Sequence, residues 1–284
     1  MKTAVIDVGS NSVRLMLSEN GKTILKKIQT TKLASKMSDG FLDYEAVERT
    51  VRAVSFFVNY AKELKVDRIL VFATAAVRMA KNRQFFVDKV KESCDVEVDV
   101  ISGQIESEIG AIGALNGKDG AIIDIGGASS EIAVILAGKI VYAKSLNVGA
   151  VTLTDMFGQN KAEIFDFLVE KVKEYGDVKA NNVLAIGGTT TTVASVIQKL
   201  KVYDATKTDG FIVTKEMLIG LIDKLYSMSV EERKKLDGLQ PERAEIIPAG
   251  LSILLFIMNK LNINEFTVSE KDNLEGYLLK RGLL

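Results

Sequence analysis

The sequence predicts an α/β protein of two related halves, each a mixed sheet flanked by helices, with a ligand cleft between them. Three observations carry this expectation. A unit recurs without gaps: AVIDVGSNSVRLMLSENGK at residues 4–22 and AIIDIGGASSEIAVILAGK at residues 121–139. Each copy reads as strand, polar loop, strand, turn, strand. Strand-like and helix-like patterns then alternate, the order from which α/β folds are built.

In the first copy the β-branched run Ala4–Ile6 reads as a buried strand that ends in Asp7-Val8-Gly9. After the loop Ser10-Asn11-Ser12, Val13, Leu15 and Leu17 alternate with polar residues as a second strand does. Asn20-Gly21 is a favoured two-residue hairpin turn. Apolar residues at Val47, Val51, Val54, Val58 and Ala61 have helical spacing within 43–65. A strand at 68–73, a helix at 82–93, a strand at 96–101 and a helix at 103–115 follow. The second copy repeats the opening: Ala4 aligns with Ala121, Asp7 with Asp124, Gly9 with Gly126, Ser12 with Ser129, Gly21 with Gly138 and Lys22 with Lys139. Beyond it come a helix at 161–175, a strand at 183–186, a helix at 190–200, three helical segments up to Leu261, a strand at 265–268 and a terminal helix. Two related domains, each opening with this unit, explain the repeat.

Composition excludes several chemistries. There is no histidine, so no Ser-His-Asp or Cys-His nucleophile and no His-based zinc site can be built. Acid–base work falls to Asp, Glu, Lys, Tyr or the single cysteine, Cys94, and a metal site would be oxygen-rich, suiting magnesium, manganese or calcium. One cysteine allows no intrachain disulfide, which fits a cytoplasmic protein. Acidic and basic residues balance at 37 each, which gives no sign of a nucleic-acid partner. Asp7 interrupts the N-terminal apolar run, so no signal peptide is expected. The apolar stretch 249–258 is too short to span a bilayer and reads as a buried core helix.

The loops are where chemistry can sit. In Asp7–Ser12, Gly9 lets backbone approach an anion, while Ser10, Asn11 and Ser12 add side-chain donors. Asp7 is placed to hold a hydrated magnesium ion, and Arg14 to reach a phosphate. One such loop alone is equally well explained as a polar hairpin. The second, Asp124 to Glu131 through Gly126, Gly127, Ala128 and Ser129, repeats its logic with an acid at each flank. Two such loops facing across a cleft would grip a phosphate chain from both sides. A third, Gly187-Gly188-Thr189, opens a helix and reads either as an anion site or as a Thr cap with glycines for a tight turn. At 103–115, Ile105, Ile109 and Ile112 make an apolar face flanked by both Glu106 and Glu108; periodicity does not choose between them.

Over nearly its whole length the chain resembles the exopolyphosphatase and guanosine-pentaphosphate phosphohydrolase family, a branch of the actin, Hsp70 and sugar-kinase superfamily. IDVGSNSVRL and DIGGASSE resemble its first two phosphate loops and GGTTTTVA its third. ATAAVRMAKN resembles the segment with a basic residue, here Arg78. ISGQIESEIGAI resembles the segment with the catalytic glutamate, and PERAEIIPAG a late segment with Arg243 at a basic position. The resemblance implies two duplicated actin-like (ribonuclease H-like) domains: residues 1–115 with a returning C-terminal helix at about 270–284, and residues 116–269. The active site would lie in the interdomain cleft.

It also implies a phosphohydrolase that releases terminal phosphate from polyphosphate, guanosine pentaphosphate or both. Glu106 would activate water, Asp124 would assist or hold the metal, and Glu131 with Asp7 would bind Mg2+ or Mn2+. Arg14, Arg78 and Arg243 would clamp phosphate. Polyphosphate or guanosine penta- or tetraphosphate is the expected ligand, with no nucleic acid or membrane partner; a monomer and a homodimer both fit. Two departures mark this chain. Ala128 replaces a third glycine, and Leu274 replaces the arginine of a Gly-Leu-Arg-Glu-Gly run, here Asp272-Asn273-Leu274-Glu275-Gly276. At 284 residues the minimal two-domain form is expected. The alternatives are an ATP-dependent kinase or ATPase of the same superfamily, and a non-catalytic guanosine tetraphosphate or polyphosphate sensor.

Overall fold

The computed structural model describes residues 1–37 and 39–282. The first half comprises β1 (Lys2–Val8), β2 (Ser12–Glu19), β3 (Lys22–Thr30), α1 (Tyr44–Glu63), β4 (Arg68–Ala73), α2 (Ala75–Met79), α3 (Arg83–Cys94), β5 (Val98–Val100) and α4 (Gly103–Leu115). The second comprises β6 (Gly120–Ile125), β7 (Ser130–Leu136), β8 (Lys139–Leu146), α5 (Ala150–Phe157), α6 (Lys161–Lys171), β9 (Val183–Ile186), α7 (Gly187–Ile197), α8 (Ala205–Thr208), β10 (Ile212–Thr214), α9 (Lys215–Ser227), α10 (Val230–Arg233), α11 (Ile247–Leu261), β11 (Glu265–Val268) and α12 (Asn273–Lys280).

The repeat in sequence is a repeat in topology. One sheet runs β3-β2-β1-β4-β5. The other, read from its matching edge, runs β8-β7-β6-β9-β11 and adds β10. In both, three antiparallel strands continue into parallel ones. Correspondence reaches single residues. The second hairpin of each unit is irregular at the same repeat position, between Leu17 and Ser18 and between Val134 and Ile135. Asn20 and Gly21 turn with left-handed φ values of 49° and 76°, as their types favour. In the second copy Ala137 is forced to φ 50°, and Asp119 holds that turn by accepting the N–H groups of Ala137 and Gly138 at 2.8 and 3.1 Å.

Elements absent from the sequence reading are the short helices α2, α5 and α8 and the edge strand β10, each too brief for a period to emerge. The helix expected at 161–175 ends as α6 at Lys171 and continues as a tighter 3₁₀ turn over Val172–Tyr175. The stretch 249–258 lies in α11 and is almost wholly buried, and among the described residues no helix is long and apolar enough to cross a membrane. Cys94 is a buried free thiol.

Each half has its own core. One forms where α1 and α3 cover the first sheet, the other where α6, α9 and α11 cover the second. Two smaller clusters cross over. Ala111, Ala114 and Leu115 of α4 pack on Ile122, Ala133 and Ile186 of the second sheet. Leu274, Tyr277 and Leu278 of α12 pack on Val5, Met16 and Phe72 of the first. The two helices cross at backbone contact: Gly113 lies against the Asp272 carbonyl, and Gly276 against the Ile109 carbonyl, where no side chain fits. This crossing brings the start of α12 to the cleft between the sheets.

Candidate functional site

The loops after β1 and β6 close the same turn: Gly9 N–H donates to the Ser12 carbonyl at 3.0 Å, and Gly126 N–H to the Ser129 carbonyl at 2.9 Å. The loops meet, since a Cβ on Gly127 would stand 3.0 Å from Ser10 Cβ and 3.3 Å from Asn11 N. Each is anchored from behind. Ser10 Oγ accepts the Ala76 N–H of α2 at 3.2 Å, while the N–H groups of Ala150 and Val151, opening α5, donate to the Gly126 and Gly127 carbonyls. The two unforeseen helices therefore set the loops' shape.

The third loop joins β9 to α7. Gly187 has φ +83°, and its Cβ position is filled by Asp124 Oδ1; Gly188 lies under the Arg243 guanidinium. Only glycines allow these approaches. The threonines do not cap the helix: Ile186 is the cap residue with no side-chain bond, Thr189 Oγ1 donates to the Ile125 carbonyl at 3.0 Å, and Thr190 Oγ1 to the Gly187 carbonyl at 3.0 Å. Of the two readings of this segment, the Thr-cap geometry is not the one formed.

A cleft of about 310 Å³ is lined by Asp7, Gly9, Ser10, Asn11, Ser12, Arg14, Glu106, Asp124, Gly126, Gly127, Ser129, Gly187, Gly188, Thr189 and Arg243. Three other sequence candidates do not line it. Ala128 is buried beside Val151 in the first core and has no left-handed φ, so the methyl group replacing a glycine fits without strain. Arg78 stands behind Glu106, donating Nη1 to its Oε2 at 2.7 Å and to the Ile101 carbonyl at 3.1 Å. Glu131 stands behind Asp124, its direct partner across the β6–β7 ladder, and accepts Ser145 Oγ at 2.7 Å.

The carboxylates are unequal. Glu106 is in the first turn of α4, whose Ser102 cap accepts the Ile105 N–H at 3.2 Å. Burial pushes the Glu106 carboxyl up to about 7 against the pull of Arg78. Burial likewise lifts Asp124 to about 6, although Arg14 acts against it; Asn273 Nδ2 donates to its Oδ2 at 3.1 Å. Glu131, 1% exposed, is raised by burial and then by the charges of Glu106 and Asp124. Asp7 is raised by burial, but Arg14 opposes this by donating Nε to its Oδ2 at 3.1 Å; its Oδ1 is buried with no partner.

The cations are unequal too. Arg14 pairs with both Asp7 and Asp272, and these offset the burial that disfavours its charge. Arg243 is buried with Gln240 Oε1 at 3.1 Å as its side-chain partner and no carboxylate ion pair among the described residues; burial and then the charge of Arg14 lower it to about 10. A desolvated cation over a glycine backbone fits an anionic ligand.

Residues not foreseen also line the cleft: Lys26, Tyr203, Gln240, Glu270, Asp272 and Asn273. No local pattern marks them, because their role comes from strands and helices remote in sequence. Leu274, in the arginine's place, is buried among Val5, Met16 and Phe72 and brings no charge. Whether the acids fit a divalent cation follows from their chemistry. All donors are oxygen, and the Asp124–Glu131 pair carries mutual repulsion that a cation would relieve. Among the described residues no group of three or more acids or cysteines can by itself hold a metal ion. Magnesium, however, commonly uses one or two carboxylates together with water and substrate phosphate. The residues fit such a cation.

Residues 13–283 match the model of the Ppx/GppA phosphatase family. The chain is 31% identical, over 98% of its length, to a bifunctional 3-dehydroquinate synthase/phosphatase of Fusobacterium nucleatum, of which it covers 46%. It is 29% identical, over 99% of its length, to a guanosine-5'-triphosphate,3'-diphosphate pyrophosphatase of Pseudoalteromonas atlantica, of which it covers 57%. The chain thus spans about half the length of these curated relatives. A solved Ppx/GppA enzyme of Aquifex aeolicus superposes with a TM-score of 0.81 at 29% identity, covering 99% of each chain. The duplicated α/β fold of two mixed sheets expected from the repeat is the observed one.

Proposed function

The chain belongs to the Ppx/GppA phosphatase family, and we propose that it is a phosphohydrolase that releases the terminal phosphate of polyphosphate or guanosine pentaphosphate, with Glu106 as general base. The observation that carries this reading is the placement of Glu106: a buried carboxylate of raised proton affinity, oriented by Arg78, in a cleft walled by three glycine loops. A base that binds its proton near neutral pH is well matched to taking one from water. Phosphoryl transfer otherwise needs positioning and neutralisation of charge on the equatorial oxygens. Loop N–H groups and Arg243, which has no carboxylate ion pair among the described residues, supply part of that neutralisation. Asp124 and Glu131, with the open oxygen of Asp7, would hold Mg2+ or Mn2+, which when bound supplies further positive charge to phosphate oxygens. Arg78 acts on Glu106 through Nη1, and Arg14 holds Asp7 and Asp272, so of these three the cleft-lining Arg243 is assigned to substrate.

The test is phosphate release from polyphosphate and from guanosine pentaphosphate, with and without Mg2+, by the wild type and Glu106→Gln. The expected result is metal-dependent release that falls about 10²–10⁴-fold in the variant. Release undiminished in Glu106→Gln would remove the glutamate base. No release by the wild type, with binding retained, would favour a sensor.

A further inference from the structure

The first turn of α12 brings a charge to the cleft that neither hairpin loop supplies. Asp272 lines the cleft beside Arg14, and its carboxylate acts through space on Asp7, Asp124 and Lys26 alike. It stands between the loop acids and the edge strand β3. Against the Gly-Leu-Arg-Glu-Gly run, Asp272 in the place of glycine adds a negative charge, and Leu274 in the place of arginine removes a positive one.

Asp272 engages the free edge of Arg14. Each of the three guanidinium nitrogens of Arg14 has a carboxylate: Nε and Nη2 donate to Asp7 Oδ2, and Nη1 donates to Asp272 Oδ2. Asp272 is itself tethered. Its Oδ1 caps α12 by accepting the Leu274 N–H at 2.9 Å, its N–H donates to Glu275 Oε2 at 3.0 Å, and its carbonyl is packed against Gly113 of α4. Glu275, the other acid of this capping box, pairs with Lys26 at 2.8 Å, and Lys26 Nζ also donates to the Glu270 carbonyl at 2.7 Å. Lys27, which lines the same wall, lies over the Tyr60 ring at 5.0 Å. A substrate phosphate therefore reaches Arg14 only by displacing a fixed carboxylate, and it meets the charge of that carboxylate on the way.

We propose that Asp272 is a specificity-determining residue: it holds Arg14 away from substrate and charges the cleft wall, so that a short terminal-phosphate substrate is accepted more readily than a long phosphate chain. A short substrate places its few charges in the glycine loops and under Arg243, where donors meet them. A long chain runs on along the wall, and each further phosphoryl group adds a negative charge within reach of Asp272. The residue touches neither Glu106 nor the bond to be cleaved, so it acts on KM more than on kcat. This rests on the phosphohydrolase reading above.

The experiment measures KM and kcat for inorganic tripolyphosphate and for a long-chain polyphosphate, at saturating Mg2+, in the wild type, Asp272→Asn and Asp272→Glu. Asparagine is itself a good helix cap, so Asp272→Asn keeps the start of α12. This variant is expected to lower KM for the long chain roughly 3–10-fold and for tripolyphosphate by less than about 2-fold, with a smaller change in kcat. The gain should shrink as salt is raised. Asp272→Glu, which keeps the charge, should keep the wild-type ratio of the two KM values. Asp272→Gly, which installs the residue of the Gly-Leu-Arg-Glu-Gly run, is the second neutral variant and should act as Asp272→Asn does. A long-chain KM that is unchanged or raised in both neutral variants, an equal fall for the two substrates, or an Asp272→Glu that matches the neutral variants would overturn the proposal. If the wild type releases no phosphate from either substrate, the hydrolase reading fails, and calorimetry with the same two polyanions decides the role of Asp272 separately. Tighter long-chain binding in Asp272→Asn supports it; unchanged binding refutes it.

Discussion

The two hairpin loops are the same structure with opposite electrostatics. Asp7 faces Arg14 across the β1–β2 ladder, and Asp124 faces Glu131 across β6–β7 at the same register. One buried acid is thus given a cation, and the other a second acid. In the first loop Asp272 joins from α12 to make a network in which a single guanidinium serves two carboxylates. In the second, Glu131 repels Asp124, which is answered by the charge of the more distant Arg14 and by the neutral amide of Asn273. The difference teaches that a duplicated scaffold divides labour by exchanging one cross-strand partner: the first copy pairs its acid with a cation, and the second sets two acids side by side.

Breaking the anchoring half should have the larger effect on folding. Arg14→Met leaves Asp7 and Asp272 buried without a counter-charge, and a loss of about 3–5 kcal/mol is expected in urea titrations at pH 7.5. The loss should shrink at pH 5, where Asp7, already of raised proton affinity, can be protonated. An equal loss at both pH values would show that Arg14 acts by packing and not by charge.

Relieving the acidic half should do the reverse. Glu131→Gln keeps the acceptor for Ser145 but removes one charge, so the metal-free chain should gain roughly 1–2 kcal/mol at pH 8. The stabilisation produced by added Mg2+ should diminish at the same time. A destabilised variant that still responds fully to Mg2+ would place the cation elsewhere.

The pH dependence sharpens the same contrast. Glu106 and Asp124 bind protons more tightly folded than unfolded, with values near 7 and 6 against ordinary ones of 4.5 and 3.8. Their stabilising contribution is therefore complete below about pH 4 and is lost as pH rises to about 7. Metal-free chain should melt a few degrees (~2–4 °C) lower at pH 8 than at pH 6, and Mg2+ should raise the melting temperature more at pH 8 than at pH 6. The smallest effect is expected at Ala128→Gly. It removes a buried methyl group and adds backbone freedom, costing about 1 kcal/mol, with little change in loop geometry because φ there is ordinary.

Much of the fold was legible in particular residues. The β-branched runs ending in Asp-x-Gly, the Asn20-Gly21 turn and the spacing of Val47, Val51, Val54 and Val58 are short-range signals, and they became β1, β6, the first hairpin turn and α1. The short helices α2 and α5 were not legible, since five and eight residues hardly complete a period, yet they hold the phosphate-sized loops in place. Among the candidate residues, the loop glycines, Glu106, Asp124 and Arg243 share one cleft, whereas Arg78 and Glu131 stand one layer behind it. No spacing rule separates a residue that faces a cleft from one that supports its neighbour.

By itself the sequence determined the two sheets, their hairpins and the acid-and-glycine loops, because strand alternation and turn preference act between residues a few positions apart. Only the tertiary structure decided which acids are neutralised and which arginine remains available. Asp272 reaches Arg14 and Asn273 reaches Asp124 because α12, following the second sheet, packs on the first and crosses α4 at Gly113 and Gly276. Proton affinity and ion pairing are set by desolvation and by charges brought together in space, and the crossing of two helices joins residues that no local pattern connects.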